Sequence, residues 1–287
     1  MSLNHVQRRI PVPISCEFFP TATEQGGENL AKVRRALAVF DCEYFSVTYG
    51  AGGSTQERTL KLVRRICEED ERPVMPHLTC ISATYAELEA LLDTYQSIGI
   101  KRLLALRGDV PPGSFYMGEL DSAADLVQLV RKKWGDTAHI VVAAYPEKHP
   151  RAKTPHDDLE ALKIKSEAGA NEAVTQYFFN ADAFLRFRDE AYAMGIEIPL
   201  VPGIMPITNY RQLARFSDAC GAELPRWIRK RLEAYEHDVE ALQLFGTEVV
   251  ASLCERLVKE GAPALHFYSM NRSQAILAIG RALSWID

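Results

Sequence analysis

Short apolar runs recur eight times along the chain, at about Ile14–Phe19, Tyr44–Tyr49, Val74–Thr79, Arg102–Leu106, Ile140–Tyr145, Glu172–Phe178, Pro199–Gly203 and Leu265–Ser269. Most are rich in β-branched and aromatic residues, and several are apolar on both sides, as fully buried parallel strands are. Between them, apolar residues recur at three- and four-residue spacing, which predicts helices over Asn29–Phe40, Thr55–Glu68, Tyr85–Ile98, Asp121–Lys133, Pro155–Ala168 and Ala181–Met194. Thr84 followed by Glu87 has the form of a capping box, and Gly99, Gly169 and Gly195 fall where helix C-termini belong. Strand–helix alternation implies parallel pairing with right-handed crossovers. Eight such units without a long linker predict an α/β fold, a single-domain (β/α)8 TIM barrel over residues 1–287. An open doubly wound sheet is the alternative, but no GxGxxG follows the first strand. Extra helices are expected between strands seven and eight, where Thr208–Gly261 has room for two or three and Pro225 starts one. Residues 1–11 read as a flexible N-terminal segment.

The runs close on Glu17, Thr48, His77, Asp109, Tyr145, Gln176, the Pro202-Gly203 turn and Asn271-Arg272. In a barrel the strand C-termini and the loops after them converge on one face, so polar residues repeated there build an active site. Folding alone gives no reason for such regularity. The pattern points to an enzyme.

Composition narrows the class. A net charge of −5 leaves no basic footprint for nucleic acid. Basic clusters such as Arg64-Arg65, Arg131-Lys132-Lys133 and Arg229-Lys230-Arg231 read as solvated helix faces. No apolar run is long enough to span a membrane, and no apolar segment follows the charged N-terminus as in a secretory signal. Six scattered cysteines without a CxxC pair fit a reducing cytoplasm. A cytoplasmic protein is expected.

Glu17 sits in Ser-Cys-Glu-Phe-Phe-Pro among apolar and aromatic neighbours. Desolvation in such surroundings favours the protonated form of a carboxyl, which suits a general acid. A buried Glu paired with an Arg for structure reads equally well. Asp109 leaves strand four after Arg107-Gly108, where Gly108 allows close backbone approach to a ligand. An Asp that merely caps a turn stays open for it. His77 and His149 stand at or just past strand ends and could hydrogen-bond a phosphate or a ring carbonyl. No HxH, HExxH or Cys/His cluster supports a metal. Gln176 beside Tyr177-Phe178-Phe179 suits a flat heterocycle, stacked on one side and hydrogen-bonded at its edge.

Taken together, Cys16-Glu17-Phe18-Phe19-Pro20, Ser46-Val47-Thr48-Tyr49-Gly50-Ala51, Pro76-His77-Leu78-Thr79-Cys80 and Leu106-Arg107-Gly108-Asp109-Val110-Pro111-Pro112-Gly113 resemble the methylenetetrahydrofolate reductases. Tyr145-Pro146-Glu147 with His149-Pro150, Gly169-Ala170-Asn171, Thr175-Gln176-Tyr177, Pro202-Gly203-Ile204-Met205-Pro206, and His266-Phe267-Tyr268 with Asn271-Arg272 continue the likeness in order. The similarity is to the bacterial single-domain form and covers nearly the whole chain.

That resemblance implies an FAD-containing homo-oligomer of one-carbon metabolism and methionine biosynthesis. It would reduce 5,10-methylenetetrahydrofolate to 5-methyltetrahydrofolate with NADH or NADPH, hydride passing through flavin N5 in ping-pong fashion. Glu17 matches the family's general acid and Asp109 an aspartate that contacts both pterin and flavin. Thr48, Tyr49, Ala51, His77, Arg107, Gly108, Ala123, Tyr145, His149, Asp158 and Lys165 match flavin-binding positions. Gln176, Gln212, Phe216 and Arg272 match the folate site. Bacterial relatives carry Asn and Arg where this chain has Ala161 and Ile164, which removes two polar contacts near the FAD tail. Two other readings compete: a flavin-independent reductase with direct hydride transfer, and a non-catalytic folate- or flavin-binding partner protein. The set Glu17, Asp109, Gln176 and Arg272 speaks against the last, since binding alone needs no general acid.

Overall fold

The computed structural model describes residues 10–49, 53–109 and 118–287. The expectations for residues 1–9, for Ala51 and for Val110–Gly113 lie outside the described residues. The strands are β1 Ile14–Phe18, β2 Tyr44–Val47, β3 Val74–Thr79, β4 Arg102–Leu106, β5 His139–Ala144, β6 Glu172–Thr175, β7 Leu200–Val201, β8 Gly203–Ile204 and β9 Leu265–Tyr268. All pair in parallel in the order β7-β6-β5-β4-β3-β2-β1-β9-β8.

The seventh strand, expected as one run over Pro199–Gly203, is two pieces flanking Pro202. Proline has no N–H to give a ladder, so pairing breaks there. The first piece pairs with β6 and the second with β9. The Pro202 carbonyl accepts from His266 N at 3.0 Å. The ring thus closes through a single proline, and the (β/α)8 TIM barrel stands with eight strand positions built from nine segments.

Alternation along each strand separates two cores. Tyr44, Met75, Leu104, Val141, Val174 and Val201 form one cluster inside the barrel. Phe18, Phe45, Leu78, Leu103, Ile140, Val142 and Phe267 belong to the larger layer between strands and helices. Beneath the interior cluster, Glu172 meets Arg102 at 3.5 Å and His139 at 3.2 Å, and the Arg102 guanidinium lies 4.3 Å from the Tyr44 ring centre. The bottom of the barrel is therefore plugged, and a ligand has only the other end to enter.

Expected helices appear within a few residues of their predicted ends, except that the first begins at Glu24. Thr23 caps it by accepting from Gly26 N, and Gly26 and Gly27 hid that turn from the periodicity. Between β8 and β9 lie Tyr210–Cys220, Arg226–Ala234 and Val239–Lys259, and Gln274–Ala282 follows β9. Arg131 corrects the reading of its cluster as a solvated face. Its guanidinium bonds the Gly135, Ala138 and Gly169 carbonyls and Asn171 Oδ1, tying a helix end to the next loop. The capping box at Thr84 is present, with Glu87 answering the Thr84 N–H at 2.8 Å. Thr84→Ala should cost about 1 kcal/mol in chemical denaturation, and an unchanged midpoint would contradict that.

Candidate active site

The C-terminal ends of the strands open into a pocket of about 950 Å³. Its size suits a large cofactor together with part of a substrate. Glu17, Thr48, Arg107, Gly108, Asp109, Ala123, Tyr145, His149, Asp158, Lys165, Gln176 and Phe216 all line it. His77 stands behind Glu17 and off the pocket surface. Gln212 is exposed on the Tyr210–Cys220 helix, one turn before Phe216 on the same face. Arg272 is exposed beyond β9, where Met270 lines the pocket instead. Tyr49 lies one residue past Thr48 and so points the other way, packing with the outer core within hydrogen-bond reach of Gln56.

Glu17 is the largely buried acid of the pocket. Its side chain is 13% exposed, with Oε2 3.5 Å from His77 Nε2 and 3.8 Å from His266 Nε2. His266 is anchored by its other nitrogen, 2.7 Å from Ser15 Oγ. Burial lowers the His77 pKa to about 4, so His77 is neutral near pH 7 and its buried Nε2 has no hydrogen-bond partner. The backbone around Glu17 is pinned from β9. Ser269 donates to the Glu17 carbonyl, and Asn271 bonds both Phe19 N at 3.0 Å and Phe19 O at 2.8 Å. Asn271 of the terminal motif thus holds the acid's strand in place.

Gly108 turns the chain out of β4 at φ +86°, and a Cβ there would meet Ile81 Cγ2 at 2.7 Å and Thr79 Cβ at 2.8 Å. The glycine serves packing within the loop as well as the turn. It brings Arg107 and the exposed Asp109 to the mouth. Arg107 Nε bonds the Asp121 carbonyl at 3.0 Å, while its buried Nη1 has no hydrogen-bond partner.

The far wall comes from the helix Pro155–Glu167, where Asp158, Ala161 and Lys165 recur at i, i+3 and i+7 and share one face. Asp158 accepts from His149 N at 2.8 Å, and the His149 ring meets Tyr145 edge-on at 4.6 Å. Burial, then the charges of Asp109 and Asp158, push the Tyr145 phenol up to about 12. Burial pulls Lys165 down to about 8 against the pull of Asp158, and its ammonium donates to the Ala143 carbonyl. Ala161 and Ile164 present no hydrogen-bonding side chain to the pocket, and Ile164 is 56% exposed. Sequence reasoning assigned no role to Ser15, Arg151, Cys220, His266 or Tyr268. Ser15 precedes Glu17 by two positions, a same-face relation that could have marked it.

Fold and site together define a barrel enzyme with an acid at the floor of a cofactor-sized pocket. Residues 3–284 match the family described as Methylenetetrahydrofolate reductase. The chain is 40% identical over 283 residues to the 5,10-methylenetetrahydrofolate reductase of Salmonella typhimurium, covering 98% of this chain and 93% of that protein. It is 39% identical to the Escherichia coli protein of that name over the same shares. Against methylenetetrahydrofolate reductase (NADH) 1 of Arabidopsis thaliana it is 37% identical, covering 95% of this chain and 48% of the plant protein. Among solved structures, an uncharacterized Clostridium thermocellum protein that binds two copies of 5-methyl-5,6,7,8-tetrahydrofolic acid shares the fold. Its TM-score is 0.66 at 15% identity, over 95% of this chain and 94% of that one. The dihydropteroate synthase of Xanthomonas albilineans has a TM-score of 0.51 at 12% identity, over 98% and 95%. This chain belongs to the methylenetetrahydrofolate reductase family.

Proposed function

We propose that this protein reduces 5,10-methylenetetrahydrofolate to 5-methyltetrahydrofolate, with FAD bound in the pocket and NADH or NADPH as electron donor. The observation that carries the reading is a largely buried carboxyl, Glu17, at the floor of a pocket also lined by Asp109, Gln176 and Phe216. The residues present fit FAD. A buried Arg107 nitrogen without a partner and a partly buried Lys165 facing a carbonyl are cations that a diphosphate would satisfy. FAD, when bound, stores the two electrons taken from the nicotinamide and returns them to the folate.

The chain's own groups do the rest. Glu17 protonates the leaving nitrogen as the five-membered ring of the substrate opens. The buried Ser15–His266 pair stands behind Glu17 and fixes the wall against which its carboxyl lies. Asp109 places a negative charge where cationic character develops on the folate. Gln176 offers donor and acceptor to the pterin edge, and Phe216 supplies a stacking face. The same reading includes a cytoplasmic homo-oligomer. The apolar Ala161 and Ile164 wall favours one competing reading, direct hydride transfer without flavin.

An absorption spectrum of the purified protein, followed by anaerobic NADH and then methylenetetrahydrofolate, decides between them. The proposal expects a flavin band that bleaches with the first addition and returns with the second. Protein that is colourless and does not take up FAD sinks the cofactor assignment and leaves direct transfer.

FAD binding should also take up a proton in alkaline buffer. The Lys165 pKa of about 8 leaves it mostly neutral at pH 9, and a neighbouring diphosphate restores its charged form. Affinity is therefore highest below pH 8 and falls as the pH rises through that value. Calorimetry at pH 9 in buffers of different ionisation enthalpy should read an uptake approaching one proton, abolished in Lys165→Met.

A further inference from the structure

The helix that carries Phe216 and Gln212 is docked on the barrel mainly at its C-terminal end. Tyr177 Oη lies 3.1 Å from Ser217 Oγ, and Cys220 Sγ lies 3.5 Å from the same phenol. Gly221 ends the helix at φ +76°, so close to the loop after β5 that a Cβ would stand 2.8 Å from the Lys148 carbonyl. Just beyond, Glu223 N donates to Glu147 Oε2 at 2.6 Å across 76 residues of sequence. The other oxygen, Glu147 Oε1, is buried without a hydrogen-bond partner. At the N-terminal end the polar side-chain contacts are exposed, from Tyr210 to Glu233 and from Arg211 to Glu236, and the anchor is apolar, through the buried Leu213. The buried polar contacts of the helix are thus gathered at its C-terminal end, so a shift there moves Phe216 and Gln212, which lie on the preceding turns.

We propose that Glu147 is a positioning residue for the substrate site, latching the end of the Tyr210–Cys220 helix to the loop after β5 and so setting where Phe216 and Gln212 stand over the ligand. Its role lies outside the acid chemistry of Glu17, and it lines the small neighbouring cavity and not the large pocket. The kinetic consequence rests on the proposed folate site, whereas the structural consequence does not.

The latch has a pH sign. Burial, opposed by the Glu223 N–H and reinforced by the Glu223 carboxylate, raises the Glu147 pKa to about 7. Glu223 and the Tyr177 phenol are the titratable groups coupled to it, with Tyr145, Lys148 and Cys220 lining the same small cavity. A solvated carboxyl titrates near 4.3. The docked state therefore binds a proton that the undocked state has already lost between these values. Docking is strongest at acid pH, weakens as the pH rises from about 4.3 through 7, and changes no further once both states are ionised.

Glu147→Gln keeps the acceptor and cannot ionise. Two measurements at pH 6 and pH 8.5 test the idea, on the full chain loaded with whatever flavin it binds. The first is alkylation of Cys220 by iodoacetamide, resolved by mass spectrometry. The ratio of the wild-type rate to the variant rate should be several-fold larger at pH 8.5 than at pH 6, because only wild type loses docking over that interval. The second is the KM for methylenetetrahydrofolate, whose ratio of wild type to variant should rise by up to about tenfold between pH 6 and pH 8.5, with kcat little changed. Glu223→Gln, which removes the like charge, should move the wild-type transition to lower pH and serves if Glu147→Gln folds poorly. Equal alkylation ratios at both pH values overturn the latch. If wild type reduces no folate, the proposed function falls and alkylation alone judges Glu147.

Discussion

Glu17→Gln is expected to slow folate reduction by about a thousandfold while leaving reduction of bound flavin by the nicotinamide essentially unchanged. The amide keeps the shape of the side chain and its neighbours on β3 and β9, so the pocket should persist. What it loses is the proton that the ring-opening nitrogen needs. No other acid at the floor can replace it. His77, 3.5 Å away, is neutral above about pH 4 because of its burial, and its Nε2 already faces Glu17. His266 is committed through Nδ1 to Ser15. Asp109 sits at the mouth, exposed, at the end of a different strand. Donation of hydride to the flavin involves no such proton, so the two half-reactions should part company in anaerobic single-turnover experiments. If the folate step stays within about tenfold of wild type, below the usual contribution of a general acid, Glu17 is not that acid. A collapse of both half-reactions would instead mean that Glu17 maintains the pocket.

The barrel and its mouth were legible because period-2 and period-3.6 patterns alternate cleanly and the strand ends carry polar residues. Thr48, Asp109, Tyr145 and Gln176 reach the pocket from four different strands, as that pattern implied. Two kinds of information were harder to read. One is the side of the strand on which a motif residue falls. Tyr49 shares a motif with Thr48, yet the pleat turns it outward. The other is contact between residues far apart in sequence. Ser15 and His266 are 251 positions apart, and Glu147 and Glu223 are 76 apart, so only the closed ring brings them together. Arg131 belongs with these, since a basic run on a helix looks solvated until the carbonyls of the next loops are known. The split at Pro202 was hidden for a different reason. A five-residue apolar run looks like one strand, and the proline within it is the only local sign that the ladder breaks.

Gly203→Ala should destabilise the protein by about 3 kcal/mol or more, a large loss for one methyl group. A Cβ at this position would lie 2.2 Å from the Thr175 carbonyl oxygen, 2.7 Å from Tyr268 Cε2 and 2.9 Å from Tyr268 Oη. The clash is with backbone, and that backbone has no freedom to yield. The Thr175 carbonyl accepts from Tyr268 Oη at 2.7 Å, and the Thr175 hydroxyl accepts from Gly203 N at 2.9 Å. Three strand positions therefore meet at one residue, beside the Pro202 break where the seventh strand passes from β6 to β9. Relief would require β6 and β9 to move apart, which opens the barrel. Thermal unfolding should fall by roughly 6 °C or more, given the size of the chain. A second variant tests whether carbonyl or ring dominates. Tyr268→Leu in the Gly203→Ala background removes the aromatic contact but leaves the 2.2 Å approach, so it should recover little. Recovery of most of the loss would put the strain on the ring and refute the account given for the backbone. Gln176 follows Thr175 directly and lines the pocket, so the same substitution should also weaken folate binding in whatever fraction remains folded.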